Sequence, residues 1–278
     1  MWDPQRLLED IWHHPYAYET FCKYVPPGKR VLEVGFGSGR ILTRLAVESD
    51  CECVGVDVDD GAFRSVDFFA RRSGAKVEAV KASGFCLPFE DNAFDVVYSE
   101  GVIEHFPRQQ SEEMVAEHVR VCRENGLVII SVPNRFALFH WLTKALLRQR
   151  FLFYPERSHS IRDLSRLMSK AGLTVLKRDG FAFGCQFYNM KVFLLDDVLS
   201  PGFERLVSRL LTAFVRTKLY HFDHAGLNSL LGLQVLVVGR KQKGVNRHPP
   251  LSKPDASKRY SLWARILEAL LGYYLAKR

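Results

Sequence analysis

Val31 to Arg40 reads VLEVGFGSGR, a short apolar strand that runs straight into Gly35, Gly37 and Gly39. A buried strand followed at once by alternating glycines brings backbone close to a ligand. Gly35 suits a sharp turn at positive φ, and residues without a Cβ leave room for the approach. A helix starting near Arg40 would point its first N–H groups into the same space. The spacing is selective. A dinucleotide-binding loop wants G-x-G-x-x-G, which from Gly35 demands glycine at position 40, where Arg40 stands. The pattern is instead Glu-x-Gly-x-Gly-x-Gly, beginning at Glu33.

Downstream segments extend the pattern. A second strand, Glu52 to Asp57 (ECVGVD), ends in an acid 18 residues after Gly39. A carboxylate there can accept both ribose hydroxyls of a nucleoside. A third strand is expected near Lys76–Lys81. Leu87 to Phe106 (LPFEDNAFDVVYSEGVIEHF) then supplies a fourth strand and its exit loop. A helix is expected at about Ser111–Arg123, and Gly126–Asn134 (GLVIISVPN) reads as strand five. Ser160 with Asp163 three residues later approximates a capping box, and the helix it opens should stop at Ala171-Gly172. Strand six is expected at Leu173–Arg178, and Leu233–Val238 (LQVLVV) suits a late antiparallel strand seven.

In this order, over roughly positions 28–180, the chain resembles the class I S-adenosylmethionine (AdoMet)-dependent methyltransferases, of the type 11/12 kind. Residues Glu33 to Gly39 correspond to that family's motif I. The resemblance implies an α/β fold: a Rossmann-like, seven-stranded, mostly parallel sheet with helices on both faces. It also implies AdoMet as methyl donor. On that basis Gly35, Gly37 and Gly39 line the methionine and ribose end, and Glu33 lies near the methionine amino group. Asp57 holds the ribose hydroxyls, Val58 packs on adenine, and Glu100 completes the donor side. The family often has an Asp-Ala pair four to five residues before its Leu-Pro-Phe proline. Here Ser83 and Gly84 stand there, so adenine is expected to rest on an uncharged acceptor, on backbone and on Phe85.

Gly101 to His105 (GVIEH) partly resembles the Glu-x-x-Glu-His segment of ubiquinone-type O-methyltransferases, with Gly101 in place of the first acid. His105 is therefore a candidate general base, since imidazole titrates nearest neutrality; the alternative is that Glu104-His105 merely starts a helix. His159, just before the helix capped by Ser160, is the second base candidate. No metal site is expected. His13, His14, Tyr16 and Tyr18 sit in an N-terminal helical segment that either closes over the donor or packs as ordinary core. The Asn/Asp-Pro-Pro-Tyr/Phe run of amino-methylating enzymes is missing; Ser99-Glu100-Gly101-Val102 stands in its place.

At 278 residues the chain can bury one large core. No apolar run reaches the roughly 18 residues needed to cross a bilayer, and MWDPQRLLED lacks the basic start and apolar core of a signal peptide. The six cysteines form no C-x-x-C pair, which favours reduced thiols in a cytoplasmic protein. Of the net charge of +8, the stretch from Lys241 to Arg278 carries +7, from nine bases and two acids.

The expected organisation is a catalytic domain over 1–240, a basic proline-bearing linker over 241–260, and an amphipathic helix over 261–278. Lid segments are expected at about 135–160 and 181–232. Phe136–Phe153 and Phe203–Phe222 combine aromatics with arginine and lysine. Such segments read either as ordinary lid helices or as a membrane-surface apparatus. The expected acceptor is a small-molecule or lipid-linked compound, methylated at oxygen. A membrane surface is a candidate partner through 261–278, and nucleic acid is disfavoured. The alternatives are a non-catalytic AdoMet-fold scaffold, or a nucleic-acid methyltransferase that uses the basic tail.

Overall fold

The structure is a computed structural model, and it describes residues 15–147, 156–182 and 230–244. The expected amphipathic helix at 261–278, most of the linker and Phe203–Phe222 lie outside these residues, as do His13, His14 and Cys185.

Seven strands form one sheet: β1 (Arg30–Val34), β2 (Glu52–Asp57), β3 (Val77–Lys81), β4 (Phe94–Glu100), β5 (Cys122–Pro133), β6 (Leu173–Phe181) and β7 (Gln234–Lys241). Their spatial order is β3-β2-β1-β4-β5-β7-β6. The first five run parallel, and β7 is antiparallel to both β5 and β6. Strand β5 begins four residues earlier than expected, and β6 and β7 each run three residues further; Leu127 to Pro133 pairs residue by residue with Arg240 to Gln234.

Successive residues of β1 enter opposite faces, as the two-residue period of a strand requires. Leu32 and Val34 join Val97, Val115, Val119, Leu164 and Met168 in one core. Val31 joins Phe21, Leu42, Leu45, Val66 and Ile129 in the other. The first face is covered by α4 (Arg108–Val121) and α6 (Ile161–Lys170). The second is covered by α1 (Pro15–Cys22), α2 (Arg40–Glu48) and α3 (Asp60–Ser73). A further helix, α5 (Leu138–Leu147), follows β5.

Local chemistry sets the helix ends. Asp59 caps α3 through the Gly61 N–H, and Gly74 ends that helix at φ 74°. Ser160 and Asp163 form the expected capping box at 3.2 Å in each direction, and Gly172 follows at φ 87°. Lys241, the first residue of the expected linker, belongs to β7 instead. Its ammonium is buried and donates to Asn92 Oδ1 at 2.9 Å and to the Cys122 carbonyl at 2.8 Å. Tyr18 is likewise core, with the Arg44 guanidinium 3.8 Å from its ring centroid. It packs against α2 in the second core.

His118 is fully buried in α4, where its Nδ1 lies 2.7 Å from the Met114 carbonyl. Burial holds its pKa down at about 4. The neutral ring is therefore the folded form, and its contribution is complete above the unfolded value near 6.5 and lost as pH falls toward 4. The shift corresponds to about 3 kcal/mol. Urea unfolding between pH 7 and pH 4 should show a loss of this size that disappears in His118→Gln. An unchanged acid slope in the variant would refute the assignment.

Candidate active site

The strand order reverses between β1 and β4, because β1 leads outward to β2 and β3 while β4 leads the other way to β5. Ligands in open α/β sheets sit at such a switch point, beyond the carboxyl ends of the strands. Two loops face each other there: Gly35–Gly39 after β1, and Gly101–Phe106 after β4.

All three loop glycines have positive φ, at 73°, 52° and 70°. Their roles differ. A Cβ on Gly35 would fall 2.6 Å from Val102 Cγ2, and one on Gly39 would fall 2.5 Å from Val66 Cγ2. These two glycines let the loop pack against the β4 exit and α3, so their missing side chains serve protein contacts rather than ligand approach. Gly37 has open space where its Cβ would be, and it alone of the three presents a bare backbone outward. Between them Phe36 is buried against Phe63, with ring centroids 5.4 Å apart, and pins the loop to the helix layer.

Asp57 ends β2 beside this loop. Its Oδ2 accepts the Gly37 N–H at 2.9 Å, and its Oδ1 accepts Val58 N–H at 2.7 Å and Asp59 N–H at 3.0 Å. A carboxylate offers about four acceptor positions, and three are used. One position, on Oδ2, remains open to a further donor. Burial raises the Asp57 pKa, and the three backbone N–H groups oppose that rise.

Glu33 lies inside the sheet, where its Oε2 accepts the Tyr98 hydroxyl at 2.7 Å. Burial pushes its pKa well up, partly countered by that bond. Tyr98 was not recognised from sequence, although it stands opposite Glu33 in the β1–β4 register. Glu100 ends β4. Burial raises its pKa too, and Arg40, the first residue of α2, draws it back. Glu33, Asp57 and Glu100 thus place three carboxyl groups at the ends of β1, β2 and β4. A cation brought beside these desolvated carboxyls would favour their ionised forms.

The loop after β3 borders Asp57, because the Ala82 N–H donates to the Asp57 carbonyl at 3.1 Å. Ser83 Oγ accepts the Phe85 N–H at 3.3 Å. A Cβ on Gly84 would come 2.9 Å from Val34 Cγ1, so glycine at this position seats the loop on β1. Phe85 packs edge-on against Phe106, with centroids 4.9 Å apart, which fixes its ring beside the site. Arg120 holds the following Leu-Pro-Phe turn through the Leu87 and Phe89 carbonyls, at 3.0 and 2.8 Å.

Beyond β4, Ile103–His105 forms a single 3₁₀ turn. The Glu104 side chain is 2% exposed, its Oε2 is buried without a hydrogen-bond partner, and its Oε1 lies 3.7 Å from His105 Nε2. Burial drives the Glu104 pKa well up, and the nearby Glu156 and Glu100 add to it. A strap over residues 156–159 crosses these strand ends. The Arg157 N–H donates to the Glu104 carbonyl at 2.9 Å, and the His159 N–H donates to the Pro133 carbonyl at 3.0 Å. His159 itself has Asp163, Arg135 and Arg157 as charged neighbours, and burial lowers its pKa. The structure therefore places the two candidate bases in different surroundings.

Sequence reasoning also missed the group that holds the strap. Glu156 Oε1 lies 3.0 Å from His140 Nε2 and 2.7 Å from Lys144 Nζ, and Lys144 also donates to Ser158 at 3.1 Å. Burial alone would raise the Glu156 pKa, but His140 and Lys144 hold it down. The four-residue spacing of His140 and Lys144 on one helix face was the available signal. Among the described residues no cluster of His, Cys, Asp or Glu is placed to hold a metal.

The strand order with its antiparallel β7, the three-glycine loop and the acid ending β2 are those of the fold of class I AdoMet-dependent methyltransferases. Residues 31–126 match the family model described as a methyltransferase domain. An uncharacterized methyltransferase of Mycobacterium tuberculosis (strain H37Ra) is 31% identical over 159 residues, covering 54% of this chain and 58% of the relative. An uncharacterized protein of Haemophilus influenzae is 33% identical over 103 residues, covering 36% and 41%. The chain spans about half the length of the curated relatives it matches.

Among solved structures, an AdoMet-dependent methyltransferase from Thermotoga maritima superposes with a TM-score of 0.54 at 19% identity, covering 84% of this chain and 95% of that one. A geranyl diphosphate methyltransferase bound to AdoMet superposes with a TM-score of 0.54 at 15% identity, covering 81% and 84%. These likenesses establish the fold.

Proposed function

We propose that the protein transfers the methyl group of AdoMet to a hydroxyl oxygen of a small-molecule or lipid-linked acceptor, with Glu104 receiving the hydroxyl proton. The observation that supports an oxygen acceptor is the buried, unpartnered Glu104 Oε2 beyond β4, next to His105. An alcohol is too weak a nucleophile until its proton has a place to go.

The chain's residues fit the donor, since Gly37 leaves backbone open, Asp57 keeps one acceptor position, and a cation beside the three strand-end carboxyls would favour their ionised forms. When bound, AdoMet supplies an electrophilic methyl group on a sulfonium. The acceptor oxygen forms the new C–O bond as the C–S bond breaks, sulfur keeps the electron pair, and the proton passes to Glu104. The protein's main task is alignment of the two reactants. His105 flanks the carboxyl and steadies its ionised form when the ring is protonated.

Calorimetry with AdoMet should give a saturable isotherm, and label from methyl-tritiated AdoMet should be recovered as a methyl ether of a hydroxylated acceptor. A folded sample that takes up no AdoMet at high micromolar concentration would support the scaffold reading instead. Label found on nitrogen, or on RNA, would overturn the oxygen acceptor.

A further inference from the structure

Helix α5 is built inside out. Its buried side carries His140, 5% exposed, and the half-buried Lys144, both bound to Glu156. On the opposite side Leu138, Trp141 and Leu142, spaced as one helical face, are 61%, 59% and 36% exposed, and Phe136 just before the helix is 52% exposed. A surface helix of a water-soluble domain normally turns its apolar stripe inward. A contiguous apolar face turned outward marks a binding surface.

The charge around this face identifies what it would meet. Lys144 is committed to Glu156 on the inner side, and the chain from Asn134 to Leu147 otherwise holds Arg135 and no acid. The Arg135 side chain is 59% exposed beside Phe136, with Asp163 Oδ2 3.5 Å from its Nη1, and Arg157 on the strap is exposed as well. Exposed aromatic and leucine side chains flanked by arginine match the headgroup region of an anionic bilayer, where apolar groups enter the acyl boundary and cations meet lipid phosphates. A second copy of the chain would set these arginines against each other. No described helix is long and apolar enough to cross a membrane, so the contact would be peripheral.

We infer that the outer face of α5, with Phe136 and Arg135, docks the domain on an anionic lipid surface. The inference rests on the lipid-linked acceptor reading and sharpens it. Phe136 follows Asn134 at the carboxyl end of β5, and the inner face of α5 holds the strap bonded to Glu104. Docking by this face therefore turns the acceptor end of the site toward the bilayer, so the acceptor class is a membrane-resident amphiphile with its hydroxyl at headgroup depth.

The test is flotation of the full-length protein with phosphatidylcholine vesicles, with and without phosphatidylglycerol. Wild type should float with the anionic vesicles and release as salt rises. The double variant Leu138→Asp/Trp141→Asp should bind about tenfold or more weakly, since it loses two apolar anchors and adds like charge. Its melting temperature and AdoMet titration should be unchanged, because both side chains face outward. Equal flotation of wild type and variant would overturn the inference and assign vesicle binding to another segment, such as 261–278. A wild-type dimer that the variant converts to a monomer, without vesicle binding, would assign the face to a second copy. A variant with a lowered melting temperature and a wild type that ignores vesicles would mean that the chain covers this face itself. Failure of every protein to bind AdoMet would remove the methyl-transfer reading and leave the vesicle result standing.

Discussion

Asp57→Ala is expected to weaken AdoMet binding by about two to three orders of magnitude while the sheet stays folded. The Asp57 carboxylate ties the Gly37 amide to the end of β2 and orders the next two residues through Val58 and Asp59. Hydrogen bonds to a charged group contribute about 1.5–3 kcal/mol each. Loss of the ribose contact together with part of the loop's order amounts to about 3–4 kcal/mol, or roughly 10²–10³ in affinity. Asp57→Asn should fall between the two, since its amide nitrogen would face either the Gly37 N–H or the pair on the other side. Calorimetric titration measures the affinities, and amide exchange at Gly37 reports the loop. An alanine variant that binds AdoMet within threefold of wild type would contradict this account of the loop.

Glu104→Gln should reduce turnover about 10²–10⁴-fold, the usual contribution of a general base, with AdoMet affinity held within a few-fold. The same variant should gain stability on the alkaline side. Burial raises the Glu104 pKa above the ordinary carboxylate range, so the protonated carboxyl is the form the fold prefers. Its contribution is complete below that ordinary range and is lost as pH rises through the raised value. Wild type therefore loses stability with rising pH over a window where the substituted glutamine has no proton to lose. The methylation rate should climb across the same window, because only the ionised carboxyl accepts the proton. Melting curves and rate profiles from pH 5 to pH 9 test both limbs. A variant with full activity, or one with an unchanged pH–stability slope, would rule Glu104 out as the base.

The backbone of the glycine loop and its flanking elements was legible in the sequence. VLEVGFGSGR announced a strand, a turn at positive φ and a helix start, and all three stand at their expected positions. The Ser160–Asp163 cap and the Gly172 stop could also be read directly, since capping chemistry acts within four residues. The glycines were legible as a motif but not as three separate jobs. That Gly35 meets Val102 and Gly39 meets Val66 depends on elements 27 and more residues away. The count of free acceptor positions on Asp57 was hidden for the same reason, because the Gly37 amide reaches it across the sheet.

The acceptor half was largely illegible. His140 looked undistinguished until Glu156 came beneath it, and Glu104 looked like the start of a helix until the Arg157 strap closed over its turn. The outward apolar face of α5 shows the same limit. Periodicity reveals that a helix has two faces, but a buried partner decides which one turns in, and here Glu156 draws the polar face inward. Short-range chemistry could be read along the chain: strand alternation, the glycine loop, the helix caps and the acid ending β2. Which distant groups meet was settled by folding, which paired Glu33 with Tyr98 and Glu156 with His140 and Lys144, and left Glu104 Oε2 without a partner. Those pairings follow from strand order and loop closure, and side-chain charges in a buried space take their meaning from neighbours that proximity along the chain does not supply.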